Sequence, residues 1–313
     1  MRLAILVVVA FVLPVSVAGA AVDVDVVIDY DLAAGEQPEG VAVDKRGDVF
    51  VSLSPLGQIR KIDRDGSEST LATLVPPNSG FGVLGLAVDA PGNLYAAVAT
   101  FDPATSGVYK VARDGSFARL PGTEDIAFPN GVTLDKNGNV YVTDTILGAI
   151  WRVPAAGGLA HVWFQSALLL GDGSAGLGVP IGANGIAYRQ NEIVVGNSEG
   201  ERLFRIPIEP DGSAGTATIL AQGSAVSFAD GLAFDVHGNV WVCLIASSTI
   251  VRVSPSGVVT TVATAADGLD WTSSIAFGKN GELWAVNFAI GPPGGPGPAL
   301  LRLAVGVKGQ PVP

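Results

Sequence analysis

The chain has 313 residues, 48% of them hydrophobic and 15% charged, and a formal net charge of -11. This acidity is spread along the chain and argues against nucleic acid or an anionic membrane as partner, because both require a basic face. The length alone allows two domains, but all-β folds of this size often form one.

Residues 1–20 differ from the rest. Arg2 gives a positive start, "LAILVVVAFVLPVSV" has the length of a signal-peptide apolar core, and "AGA" sets Ala18 and Ala20 before a cut. A membrane anchor fits less well, since the run is short and broken by Pro14. The expectation is a signal peptide over 1–20, a secreted protein (extracellular or periplasmic), and a single domain over 21–313. The lone Cys243 sits in "NVWVCLIA", where it reads as a small buried hydrophobe. With no neighbouring His it carries no thiol-enzyme signal.

From Pro38 onward the chain repeats itself. "PEGVAVDKRGDVFVSL", "VLGLAVDAPGNLYAAV", "PNGVTLDKNGNVYVTD", "ANGIAYRQNEIVVGNS", "ADGLAFDVHGNVWVCL" and "TSSIAFGKNGELWAVN" share one plan. A short apolar strand runs into a turn rich in Asp, Gly and Asn, and a second apolar strand follows. Third strands such as "GQIRKIDRDG" and fourth runs such as "STLATL" come after most copies. Six copies of four short antiparallel strands predict an all-β, six-bladed β-propeller. The sixth copy stops at its third strand, "ALLRLAVGV", whereas "AVDVDVVIDYDL" near the start alternates as a strand should. That segment is expected to add the outer strand of the sixth blade and so close the ring.

In a propeller the first strand of each blade lies nearest the axis, so the residues just before it ring one mouth of the tunnel. The position before each Gly or Ser reads Glu39, Leu84, Asn130, Asn184, Asp230 and Ser273, at spacings of 45, 46, 54, 46 and 43. Any one of these alone is ordinary turn chemistry. Together, Glu39, Asn130, Asn184 and Asp230 form an oxygen-only set that suits a hard cation, with Ca²⁺ first and Mg²⁺ or Mn²⁺ as substitutes. Asp44, Asp89, Asp135 and Asp235 fall at the far-end turns and read as structural. Asp144, Asn197 and Asn287, at the ends of second strands, return to the mouth side as candidate substrate contacts, although turn capping explains them equally. Two long segments, 166–182 and 290–299, are expected to overhang the same mouth. Neither His161, in an outer strand, nor His237, in a far-end turn, is placed to serve as a base there.

The motifs "PEGVAVD", "PNGVTLD", "ANGIAY" and "ADGLAFD" resemble the SMP-30/gluconolactonase/LRE-like superfamily over nearly the whole chain beyond the signal segment. The resemblance implies a central divalent metal, usually Ca²⁺, held by Glu39, Asn184 and Asp230, with Asn130 contacting metal or substrate. It also implies hydrolysis of lactones or related esters. "IAFPNG" is apolar where the sugar-lactonase branch often carries an arginine, which counts against a gluconolactone-like substrate. The functional expectation is a secreted metal-dependent hydrolase of a lactone or small ester, with Asp230 and Glu39 as catalytic carboxylates. The alternative is a non-catalytic extracellular binding propeller of the NHL type.

Overall fold

A computed structural model of the chain describes residues 22–313. The expected signal segment, 1–20, lies outside the described residues. Those residues form six four-stranded antiparallel sheets arranged as the blades of a propeller, with only short 3₁₀ turns for helix. The innermost strands are Pro38–Val43, Gly82–Val88, Pro129–Leu134, Ala183–Arg189, Ala229–Phe234 and Thr272–Phe277.

Burial falls from axis to rim and explains the composition of each strand. In blade 1, Pro38–Val43 and Val49–Leu53 are buried throughout, Gln58–Ile62 alternates, and Glu68–Thr73 is mostly exposed. Where a strand is covered on both faces, apolar residues fill successive positions, as in Val41–Val43 and Val49–Val51. Neighbouring blades pack face to face. Tyr95, Ala97 and Val108 of blade 2 share a core with Val132, Leu134 and Val142 of blade 3. Val41, Val49 and Val51 of blade 1 do the same with Val286 and Leu300 of blade 6.

The far-end turns owe their shape to the recurrent aspartates. Asp44 Oδ1 accepts from the backbone N–H groups of Arg46, Gly47 and Asp48, and Gly47 takes the left-handed φ of +95° that the turn demands. Asp235 repeats this with His237 and Asn239, and its second oxygen accepts from Trp241 Nε1 at 3.0 Å.

Blade 6 draws on both ends of the described chain. Thr272–Phe277, Glu282–Asn287 and Ala299–Ala304 are followed outward by Val24–Asp29, which pairs antiparallel with Ala299–Ala304. Segment 308–313 then crosses the far mouth of the tunnel. The N–H of Val236 donates to Lys308 O, that of Gln310 to Phe234 O, and that of Ala90 to Pro313 O. Gln310 Nε2 also reaches Tyr188 O at 3.2 Å. One short segment therefore ties blades 2, 4 and 5 across the far mouth.

Candidate functional site

The six inner strands share an irregularity that aims the site. In each blade the pairing between the first two strands slips once: between Pro38 and Val41, Val83 and Leu86, Pro129 and Val132, Ala183 and Ile186, Ala229 and Leu232, and Thr272 and Ser274. Such a bulge breaks the strict alternation of side chains and re-aims the residue within it. The residues in the slips are Glu39, Leu84, Asn130, Asn184, Asp230 and Ser273. Glu39, Asn130, Asn184, Asp230 and Ser273 line one small cavity on the axis, of about 50 Å³. Two residues further along, Val41, Leu86, Val132, Ile186, Leu232 and Ile275 form an aliphatic ring beneath them.

In five blades the bulge residue is followed by a glycine that close approach requires; in blade 6 Ser273 is followed by Ser274. A Cβ on Gly185 would lie 1.8 Å from Asp230 O, and one on Gly131 would lie 2.6 Å from Asn184 O. The backbones of Asn130, Asn184 and Asp230 are therefore pressed against the glycine of the preceding blade. Hydroxyls complete the ring: Ser273 Oγ donates to Glu39 O at 2.7 Å, Thr143 Oγ1 to Asn184 O at 2.7 Å, and Ser52 Oγ to Leu84 O at 2.8 Å.

Glu39, Asn130, Asn184 and Asp230 are all buried, at 6%, 8%, 5% and 7% exposure. Asn184 Nδ2 donates to Ser198 Oγ at 3.1 Å, and that hydroxyl donates onward to Ala229 O at 2.6 Å. This fixes the amide so that Asn184 Oδ1 is left free. Asn184 Oδ1 and Glu39 Oε2 are buried oxygen atoms without a hydrogen-bond partner. Orphaned acceptors of this kind are rare and costly. Two of them in one cavity with a second carboxylate fit a hard cation bound through oxygen. Among the described residues no group of three or more His, Cys, Asp and Glu converges, so such a cation would take half its side-chain ligands from carboxamides.

The electrostatics agree. Burial pushes the Asp230 carboxyl up from its ordinary range, with the adjacent Asn184 amide working the other way. Glu39 is pushed up by burial first and by the charge on Asp230 second. Without a cation the two carboxylates resist being charged together. Cys243 is fully buried on the second strand of blade 5, and burial followed by the two acids raises its thiol as well, which keeps it neutral and inert.

Above this floor opens a cavity of about 230 Å³. Both long segments reach it, 166–182 through Ser174, Leu177 and Ile181, and 290–299 through Ile290. The first is anchored by a residue that the repeat does not single out. Glu199 Oε2 accepts from the N–H groups of Asp172 and Gly173 at 2.7 Å each, and Oε1 from that of Ala175 at 2.8 Å. The second is held where Asp270 Oδ2 accepts from Gly297 N–H at 3.0 Å.

Asp144, Asn197 and Asn287 lie on the mouth side, but the structure does not bring them to the cavity. Asp144 accepts from the N–H groups of Ala127, Phe128 and Leu147. Asn197 Nδ2 donates to Leu168 O and Leu170 O, and Asn287 Oδ1 accepts from Asp270 N–H and Thr272 Oγ1. Their polar atoms hold the loops that shape the mouth. His161 and His237 are exposed and distant from it.

The walls are the part that sequence reasoning missed. Phe128, Phe228 and Trp271 each stand two positions before a bulge residue and line the cavity. Phe228 and Trp271 adopt left-handed φ values of +51° and +48°, a strained conformation for large side chains that clusters at functional sites. Their N–H groups are held by Ser198 O and Ser248 Oγ. An aromatic residue at this offset in three of the six copies was the available signal.

Comparisons with known proteins follow the same lines. Residues 180–285 match the profile described as SMP-30/Gluconolactonase/LRE-like region, and residues 117–143 match a beta-propeller repeat. No curated protein matches the chain. Among solved structures, regucalcin from Agrobacterium tumefaciens, a calcium-binding protein, superposes with a TM-score of 0.68 at 15% identity, over 94% of this chain and 96% of its own. A gluconolactonase from Xanthomonas campestris gives 0.65 at 16% identity, over 92% and 90%. Virginiamycin B lyase from Staphylococcus aureus gives 0.62 at 17%, over 93% and 89%. At such identities the superpositions establish the propeller fold, whereas the profile match bears on family. Residues 180–285, which carry Asn184 and Asp230, match the SMP-30/gluconolactonase/LRE-like profile, and over that stretch the resemblance read from the blade motifs holds.

Proposed function

We propose that the protein is a secreted, divalent-cation-dependent hydrolase of a lactone or related small ester. The observation that carries this reading is the pair of orphaned oxygens, Glu39 Oε2 and Asn184 Oδ1, buried beside Asp230 on the propeller axis. Glu39, Asn184 and Asp230 would hold the cation, with Asn130 as a further ligand or as the group that orients substrate. Ca²⁺ suits this donor set best, and Mg²⁺ or Mn²⁺ would use the same oxygens. The calcium-binding and gluconolactonase descriptions of two structural neighbours support the reading. The apolar leader of residues 1–20 supports secretion.

Bound at the floor, a divalent cation supplies Lewis acidity toward an ester carbonyl and lowers the pKa of a water. The chain's own residues do the rest. Asp230, a buried carboxylate at the same floor, accepts the proton released as water adds to the acyl carbon. Glu39 is the second carboxylate within the same cavity and available for the return of that proton to the leaving oxygen. The Asn130 amide orients the ester, and the aliphatic ring below and the two overhanging segments above exclude bulk water.

The test is turnover of a panel of lactones and aryl esters by chelator-stripped protein, with and without added Ca²⁺. Calcium-restored hydrolysis that Asp230→Ala abolishes is expected. Full activity in Asp230→Ala sinks the assignment, and tight calcium binding with no turnover across the panel favours a binding propeller instead.

A further inference from the structure

We propose that the substrate is a lactone or ester with an apolar, ring-bearing body, and not a sugar acid derivative or an anion. This rests on the hydrolase reading above and adds the substrate class. The polar groups of the mouth cavity are concentrated at its floor. Above Glu39, Asn130, Asn184 and Asp230 the walls are chiefly carbon, and among the described residues no Lys, Arg or His lines them. Of the two serines in the lining, Ser198 already spends its hydroxyl on Ala229 O and Asn184 Nδ2.

The walls face each other in two aromatic groups. On the side of blades 2 and 3, Phe81 and Phe128 pack edge to face with centroids 5.1 Å apart, and Phe101 buttresses both at 5.9 and 5.4 Å. Across the six-fold ring, at blades 5 and 6, stand Phe228 and Trp271, both held in left-handed backbone conformations. The propeller topology places blade 2 opposite blade 5 and blade 3 opposite blade 6. A flat apolar group thus meets aromatic side chains on either side while its acyl carbon reaches the floor.

A polyol in the same place would bury several hydroxyls against carbon, and each one left without a partner costs roughly tenfold or more in binding. An anionic substrate body would meet no cationic side chain in these walls. The reaction adds water across the acyl C–O bond, breaks that bond and gives a hydroxy acid, with no oxidant or reductant needed.

The experiment compares calcium-loaded protein on dihydrocoumarin, γ-phenyl-γ-butyrolactone, unsubstituted γ-butyrolactone and glucono-δ-lactone. In parallel, calorimetry measures binding of the unreactive phenyl-substituted and polyhydroxylated lactams. The expected kcat/KM for the two aryl lactones exceeds that for gluconolactone by about 100-fold, and only the phenyl lactam binds. Phe288→Ser, on the cavity wall, is expected to lower the aryl rates about tenfold while changing γ-butyrolactone turnover by no more than about threefold. No turnover with selective binding of the phenyl lactam would refute hydrolysis and retain the substrate-body class. Equal or better turnover of gluconolactone, equal or better binding of the polyhydroxylated lactam, or binding of neither lactam would overturn the proposal.

Discussion

The glycine ring yields a graded prediction. In Gly185→Ala the new methyl would start 1.8 Å from Asp230 O and 2.4 Å from Leu232 Cδ1, whereas real Cβ contacts stay beyond 3.0 Å. The obstacle is backbone, so the inner strand of blade 5 must retreat by more than an ångström and carry Asp230 with it. Overpacking of this kind costs about 1–3 kcal/mol. For a domain of this size that lowers the melting temperature by about 2–5 °C. A displacement near 1 Å at a catalytic group costs on the order of 100-fold in rate. Gly131→Ala starts 2.6 Å from Asn184 O, so a shift of a few tenths of an ångström relieves it and the effect is smaller. Thermal unfolding followed by circular dichroism, together with a calcium titration of each variant, measures both consequences. The reasoning fails if Gly185→Ala melts and binds calcium like the native protein, or if Gly131→Ala is the more damaging change.

Three further outcomes are expected. Because burial raises the Asp230 and Glu39 carboxyls in the folded state, their contribution to metal-free stability is fully present below the ordinary carboxylate range and is lost as pH rises through the raised values. In chelator, native protein should therefore lose stability relative to Asp230→Asn between about pH 4 and about pH 7, and calcium should remove the difference; parallel pH profiles would contradict this. Glu199→Gln retains the shape of the side chain but weakens three charge-assisted bonds, so faster hydrogen exchange at Gly173 and Ala175 and a KM raised about tenfold are expected, with kcat changed less. Unaltered exchange there would show that Glu199 does not hold the segment. We also propose that Val24–Asp29 closes the ring, so that deleting it bares the edge at Ala299–Ala304 and lowers the melting temperature by at least about 10 °C or causes association; a monomer of unchanged stability would rule that out.

What the sequence discloses here is what repeats. The six blades are legible because each copy restates the same apolar runs and turn residues, and the oxygen donors are legible because equivalent positions in a ring must converge. The bulges are hidden, since a register slip arises from pairing and not from residue type. The aromatic walls recur in only three copies, at an offset of two from the donors, and so fall outside the pattern. Glu199 and segment 308–313 act on partners distant in sequence, which no local motif encodes. Asp144, Asn197 and Asn287 show the opposite difficulty. Their blade position is readable, but whether a polar side chain turns to the cavity or to loop backbone is decided only by the fold around it.

Isothermal titration of Ca²⁺ into the native protein and into Glu39→Gln and Asp230→Asn tests the central claim most directly. The account predicts one calcium per native chain, with affinity reduced at least about tenfold in each variant, because each removes a charged oxygen ligand from the axis. Undiminished calcium binding in both variants, or no binding by the native chain, would contradict it.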